Sequence, residues 1–415
     1  MRSTYVQSSR QAIALALHRC RSGTLKLFTG INWDTFCRQA HPEFSPAGWH
    51  LGHIAYTEEL WLLQRCAGLP PIFPKYRQLF AADILPKKER VYLPTFAEVE
   101  CYLDTVRKQV LNYLETAPIE EQERLWQFII QHESQHCETI AFVLQLGQAY
   151  SLPQLQKFDN MSLPQQDIIA SEMIEIPAGE FEMGNDGIDA LDNERSRHRC
   201  HLETYFIDPY PVTCNQYRKF IEAGGYQNPK YWSNSGWKWL QNNPVNQPLY
   251  WSDNPTFDNH PVCGVSWYEA EAYCQYVGKR LPTEAEWEKA ASCDSLTTIK
   301  NIYPWGEKEP ESHHCNHDNN IGKTTPVDAY PEGKSAYGCG DMLGNVWEWT
   351  NSWFQAYEGF EHYPYPGYSQ TYFDNEHRVL KGGSWATRPW ALRSSFRNWY
   401  HPGVRQIIAG FRCAK

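Results

Sequence analysis

Two patterns share this 415-residue chain, and one gives way to the other near residue 150. In the first part apolar residues recur at helical spacing. Beyond residue 171 the texture turns to Gly, Pro, Trp and Asn with short strand-like pieces. A chain that changes period in this way is expected to build separate cores, an all-helical one and then an α+β one. The length agrees, since about 150 residues per domain suggests roughly two or three domains.

The helical part shows its punctuation. Ser45-Pro46 reads as an N-cap with Pro at the first helical position, and Gly68 stops the segment, with Trp49, His53, Leu60 and Leu63 near one face. Thr95 and Glu98 make a capping box opening a helix whose stripe is Val99, Tyr102, Val106, Val110, Leu111 and Leu114. A further helix over Ile119 to Leu146 carries Leu125, Phe128, Ile129, His132, His136 and Val143 on one stripe. With a segment near residues 8–20, these predict an up-and-down four-helix bundle over 1–150. The start, Met1 to Trp33, has no acidic residue and carries Arg2, Arg10, Arg19 and Arg21, as transit peptides do. Its apolar stretch Ala12 to Leu17 is too short for a secretory signal, and a first helix of the fold is the preferred reading. Gln, Pro and Asp dominate 151–171, which reads as a linker. In 172–415, Met173–Ile176 and Tyr205–Ile207 read as strands. Ser266 to Val277 and Thr283 to Ala291 read as helices, opened by the boxes Ser266/Glu269 and Thr283/Glu286.

Charge and cysteines bound the function. Lys+Arg is 38 against Asp+Glu 48, a net −10 with no basic block, which argues against nucleic acid and anionic membranes as partners. No apolar run approaches the roughly 18 residues that span a bilayer. The 13 Cys are scattered without a C-x-x-C pair, which reads as reduced, buried thiols in a cytoplasmic protein.

His132 and His136 are one turn apart on an apolar stripe and so point together into the bundle. Two imidazoles in a dry core need partners, and one metal ion supplies both. The third ligand is expected from a facing helix, with His53 the first candidate and His50 its competitor. Three imidazoles leave positions open, a catalytic pattern, and suit zinc, iron, copper or nickel. Glu133 and Glu138 flank the pair; either can accept from a ligand's ring N–H, and for Glu133 a solvated helix face is favoured. The loop His313–Asn320, H-H-C-N-H-D-N-N, reads as a surface turn, because its histidines lack helical spacing and its Asp and Asn suit turns.

Two segments, W-H-L-G-H-I (Trp49–Ile54) and H-E-S-Q-H-C-E-T (His132–Thr139), resemble a DinB-type bundle. I-P-A-G-E-F-E-M-G (Ile176–Gly184), P-V-T-C-N-Q-Y (Pro211–Tyr217), G-K-R-L-P-T-E-A-E-W-E (Gly278–Glu288), G-N-V-W-E-W (Gly344–Trp349), K-G-G-S-W (Lys381–Trp385) and A-G-F-R (Ala409–Arg412) resemble the formylglycine-generating-enzyme fold, which is C-type-lectin-like. In this order, with R-N-W at Arg397–Trp399, the chain resembles the EgtB-type sulfoxide synthases of ergothioneine biosynthesis. That resemblance implies an α+β multidomain protein holding a non-haem Fe(II) on His53, His132 and His136, with His50 not a ligand. It implies hercynine, a thiol and O2 as small-molecule substrates. Gln135, Asn398 and Trp399 match substrate contacts, Trp399 facing the quaternary ammonium, so the site is expected where the two domains meet. A tyrosine proton donor is expected at Tyr363 or Tyr365. In the branch using γ-glutamylcysteine, two arginines and an aspartate hold the donor; here those positions are Lys87, Arg90 and Tyr400. The loss predicts free cysteine as donor, or a selenosugar giving selenoneine. Formylglycine generation is set aside because its two cysteine positions after G-G-S-W are Thr387 and Leu392 here. A DinB-type thiol transferase and a non-catalytic lectin-like module are the remaining alternatives. The sequence does not give the oligomeric state.

Overall fold

A computed structural model describes residues 2–151, 172–294 and 300–415. The chain divides into two compact units, Met1–Gln156 and Lys157–Lys415. Residues 152–171 of the expected linker lie outside the described residues.

The first unit is a bundle of four long helices, α1 (Arg2–Lys26), α3 (Ala47–Glu58), α5 (Phe96–Leu114) and α6 (Ile119–Ser151), with two short ones between them, α2 (Trp33–Cys37) and α4 (Tyr76–Phe80). The Thr95/Glu98 capping box forms as expected. The Ser45 cap does not. Pro46 is the N-cap of α3 without a side-chain bond, and the Ser45 hydroxyl instead accepts from Arg90. After Glu58 the helix widens into a π-helical stretch, Glu59–Cys66, visible in the five-residue bond from Ala67 N–H to the Leu62 carbonyl. The wider turn brings Leu62 and Leu63 into the core while Leu60 stays half-buried, and Gly68 at φ +68 ends the run. On α5 the stripe is buried except Leu111, which faces solvent. The acid-free start is part of the bundle, with Ile13, Leu17 and Cys20 in the core.

One charged residue from each long helix meets at the bundle's centre. Arg21 (α1) donates to Glu133 (α6) and Glu58 (α3), both at 2.9 Å, and Arg107 (α5) donates to Glu58 at 2.6 Å and Glu133 at 2.8 Å. Glu133 is therefore not on a solvated face. Burial alone would raise its carboxyl, but the two guanidinium charges outweigh it and hold the group down to about 2. Two positive and two negative groups close on themselves, so the register of all four helices is fixed by one ring of charge-assisted bonds.

Among the described residues the second unit carries three small sheets and four α-helices. Strand β1 (Ile174–Ile176) pairs antiparallel with β4 (Tyr205–Ile207), and β2 (Gly179–Met183) with β3 (His198–Leu202). The third sheet runs β7 (Asn398–Tyr400), β6 (Arg378–Lys381), β5 (Trp347–Trp353), β8 (Ala409–Gly410), antiparallel except for β5 with β8. Helices α9 (Trp267–Tyr276) and α10 (Glu284–Ser292) form under the two expected capping boxes. Helices α7 (Cys214–Glu222) and α8 (Asn234–Asn242) were not foreseen, although Thr213/Gln216 is a legible box and Ser233 a legible cap. Helix α10 anchors the unit through acids: Glu284 takes Arg397 at 2.7 Å, and Glu288 takes Lys300 at 2.7 Å and Lys381 at 2.9 Å. The loop His313–Asn320 is not a surface turn throughout. His314, Cys315, Asn316 and His317 are buried, while Asp318 and Asn319, both at positive φ, form a turn closed by the Asn320 N–H on the His317 carbonyl. None of the 13 cysteines is in a disulfide; eight are buried as expected, but Cys101 is exposed. Among the described residues no helix is long and apolar enough to cross a membrane.

Candidate metal centre

Helix α3 can approach its neighbours closely because Gly48 and Gly52 lie one turn apart on it. A Cβ on Gly48 would meet the Phe36 ring at 2.4 Å, and one on Gly52 the Phe80 ring at 2.2 Å. That closeness brings α4 against α3, so the last carbonyls of α4 lie within reach of α3 side chains. Trp49 Nε1–H donates to the Leu79 carbonyl at 2.7 Å, and His53 Nδ1 bonds the Phe80 carbonyl at 2.7 Å. Carbonyls at a helix end have no partner in their own helix, and these two are satisfied by the indole and the imidazole. A carbonyl only accepts, so His53 carries its proton on Nδ1 and its lone pair on Nε2.

Helix α6 supplies the other two rings. His132 and His136 have centroids 4.4 Å apart, and His53 lies 5.1 Å from the first and 4.8 Å from the second. One ligand atom from each of His53, His132 and His136 can be chosen so that all three lie within 4.8 Å of one another. Among the described residues this is the one group of three or more His, Cys, Asp or Glu so placed. His50 joins differently, its Nδ1 facing the His136 Nδ1 at 2.9 Å. The hydrogen-bond partners seen for the cluster are the Phe80 carbonyl, His50 and the Thr57 hydroxyl, 3.5 Å from His53 Nε2, while Glu133 is committed to Arg21 and Arg107. Burial pushes all these imidazoles down, His53 to about 4, and His132 and His136 well below the ordinary imidazole value. They are uncharged near neutral pH, with lone pairs available. Three neutral nitrogen donors converging in a dry core fit a divalent transition metal with coordination positions to spare.

The remaining expected residues fall in separate settings. Gln135 is half-buried on α6 and donates back to the Gln131 carbonyl at 3.3 Å. Lys87 is exposed and donates to the Glu43 carbonyl at 2.6 Å. Arg90 is buried, donating to the carbonyls of Leu85 at 2.9 Å and Ala82 at 2.6 Å and to the Ser45 hydroxyl at 3.0 Å. In the second unit Asn398, Trp399 and Tyr400 are half-buried on the edge strand β7. Trp399 lies flat on Phe354, with centroids 4.2 Å apart and planes at 8°. Its other neighbours are Tyr368, edge-on at 6.0 Å, and Tyr372 at 5.5 Å. Tyr363 and Tyr365 are half-buried on the loop between β5 and β6; the Tyr363 N–H donates to Asp192, and Tyr365 packs edge-on to Tyr368. The sequence reading stopped at the first two tyrosines of Y-P-Y-P-G-Y. The third, Tyr368, is the one seated against Trp399. Arg397 is fully buried between Glu284, the Phe354 ring and the Tyr357 ring, so its part in R-N-W is to set the base of β7.

Comparison with known proteins follows the same division. Residues 16–140 match the DinB superfamily, and residues 159–415 match the sulfatase-modifying factor enzyme 1-like domain. The chain is 36% identical over 430 residues to a hercynine oxygenase of Mycolicibacterium smegmatis, covering 98% of this chain and 99% of that one. It is 38% identical to a hercynine oxygenase of Mycobacterium tuberculosis over the same shares. A formylglycine-generating enzyme of Mus musculus is 31% identical over 286 residues, 59% of this chain and 75% of the mouse protein. The first two similarities run through both units, which neither a bundle-only thiol transferase nor a lone lectin-like module would account for. On that full-length kinship the chain belongs to the hercynine oxygenase family of oxidoreductases.

Proposed function

We propose that the three-histidine cluster holds iron(II) and that the chain joins a sulfur or selenium donor to the imidazole carbon of hercynine at the expense of O2. The observation that carries this reading is the convergence of His53, His132 and His136 at one point of the bundle, in a chain whose full-length relatives are named hercynine oxygenases. Bound there, iron(II) would supply the activation of dioxygen. The balance with a thiol is closed: hercynine, RSH and O2 give the sulfoxide and one water, with one oxygen atom on sulfur and the other in the water.

The protein's own part is positioning. The Phe80 carbonyl and His50 orient two of the imidazoles. Gln135 is assigned to contact hercynine, and Asn398 and Trp399 to its betaine end, where an indole face suits a quaternary ammonium. Tyr363 or Tyr365 is assigned as the phenol that donates a proton as charge builds on oxygen.

The donor is assigned by what the chain lacks. Lys87 is a single ammonium, Arg90 already commits three of its five N–H donors to Ser45, Ala82 and Leu85, and Tyr400 cannot balance an ammonium. A donor needing two bidentate clamps and a counter-carboxylate, as γ-glutamylcysteine does, is poorly served. Free cysteine is the first choice. A selenosugar, which has no ammonium, is the second, and Tyr400 is what favours it. The test offers γ-glutamylcysteine, cysteine and a selenosugar together to the iron-loaded enzyme with hercynine and oxygen. Cysteine or the selenosugar should win on kcat/KM, and a win by γ-glutamylcysteine overturns the donor assignment. In the same assay Trp399→Ala should raise the hercynine KM about tenfold or more; unchanged kinetics would remove Trp399 from the site.

A further inference from the structure

Beside the histidine cluster the Trp49 indole has the Arg90 cation over its ring and the His53 imidazole stacked on it. The Arg90 guanidinium carbon lies 4.1 Å from the Trp49 ring centroid. Trp49 in turn lies on His53 with centroids 4.7 Å apart and planes at 12°. Each layer is pinned by bonds at its edge. Arg90 is held by the Leu85 and Ala82 carbonyls and the Ser45 hydroxyl, and Trp49 and His53 by the successive carbonyls of Leu79 and Phe80.

Ordinary core packing does not require this arrangement. A single N–H bond, such as the one from His53 to Phe80, fixes one point of an imidazole and leaves the ring able to tilt about that bond. A flat aromatic face removes the tilt, because the ring must then stay parallel to it. The indole itself stays in plane only if something flat presses on its other side, and a planar guanidinium does so where an ammonium cannot. The three donors of Arg90 that fix its plane are directed inward, to the segment 82–85 and to Ser45. They do not present a fork to an incoming carboxylate.

We propose that Trp49 is a positioning residue that sets the ring plane of His53, and that Arg90 backs this stack instead of clamping a carboxylate of the second substrate. The inference rests on the reading of His53 as a metal ligand.

The test is an anaerobic titration of the full chain, freed of metal, with Co(II) and then Fe(II), following affinity and the Co(II) visible spectrum. Trp49→Leu, Trp49→Phe, Arg90→Lys and Arg90→Gln are compared with wild type, and KM for the thiol is measured on the iron-loaded forms. Trp49→Leu should weaken Co(II) binding about 10- to 100-fold and shift its bands, while Trp49→Phe, which keeps a flat face, should recover most of both. Arg90→Gln should weaken metal binding several-fold and move the thiol KM by less than about threefold. Arg90→Lys should resemble Arg90→Gln, since the charge without the plane does not suffice. Wild-type affinity and spectrum in Trp49→Leu would overturn the inference, as would an Arg90→Gln that binds metal normally but raises the thiol KM tenfold. Should Trp49→Leu fail to fold, the Arg90 variants and Trp49→Phe decide alone: normal metal binding in both Arg90 variants overturns it, and weakened binding in them with near-normal binding in Trp49→Phe supports it. A wild-type protein that takes up neither metal would sink the metal-ligand reading itself; metal uptake by wild type and variants alike would sink only the stack.

Discussion

His132 and His136 were legible from their spacing because both lie on the buried stripe of one long helix, where two imidazoles have no water to satisfy them. His53 needed a partner helix and a family resemblance, since nothing within one helix says which of His50 and His53 faces across. In the structure both rings reach α6, His53 within the cluster and His50 bonded to His136. It follows that His132→Ala should remove most bound metal. The His50→Ala variant should keep a metal site but lose about 10- to 100-fold in affinity, as expected when a ligand's hydrogen-bond partner is removed. A metal titration monitored by elemental analysis separates the two. An empty site in His50→Ala, with a full one in His53→Ala, would exchange their roles.

Between elements, the interactions that matter most here left no trace in the sequence. Arg21, Glu58, Arg107 and Glu133 come from four helices, and no periodic pattern links residues that far apart. Glu133 read as solvent-facing because charged residues are almost never fully buried unless paired, and the pairs were invisible. Strand β5 was missed for a related reason: its first four residues are all buried, so the alternation that marks a half-exposed strand is absent. Two measurements follow at this scale. Glu58→Ala leaves two buried guanidinium groups short of a partner and should cost about 3–5 kcal/mol of stability, read by urea unfolding. In the second unit, burial alone would raise the Glu288 carboxyl, yet Lys300 and Lys381 hold it down to about 2. Because its value is lowered on folding, its contribution is full above the ordinary carboxylate value of about 4.5 and fades as pH falls toward 2. The stability gap between wild type and Glu288→Gln should therefore narrow as pH falls from about 4.5 toward about 2. A gap that stays constant across that window would mean the carboxyl is not held down by its lysines.

For the whole chain, the change of pattern near residue 150 was enough to foresee a helical bundle followed by an α+β unit, and the family matches fall on the same two stretches. The chemistry is less evenly distributed. The bundle supplies the three imidazoles, while the resemblance assigns the betaine contacts to a strand of the second unit. The proposed function is a hercynine oxygenase reaction that runs on iron held by those imidazoles. Its most direct test is dioxygen uptake by the anaerobically iron-loaded protein on adding hercynine and cysteine together. One equivalent of iron should bind, and uptake should need both substrates, match sulfoxide formed one for one, and disappear in His132→Ala. Uptake and product formation of wild-type size in His132→Ala, or iron-loaded wild type that consumes no oxygen with hercynine and any of the three donors, would contradict it.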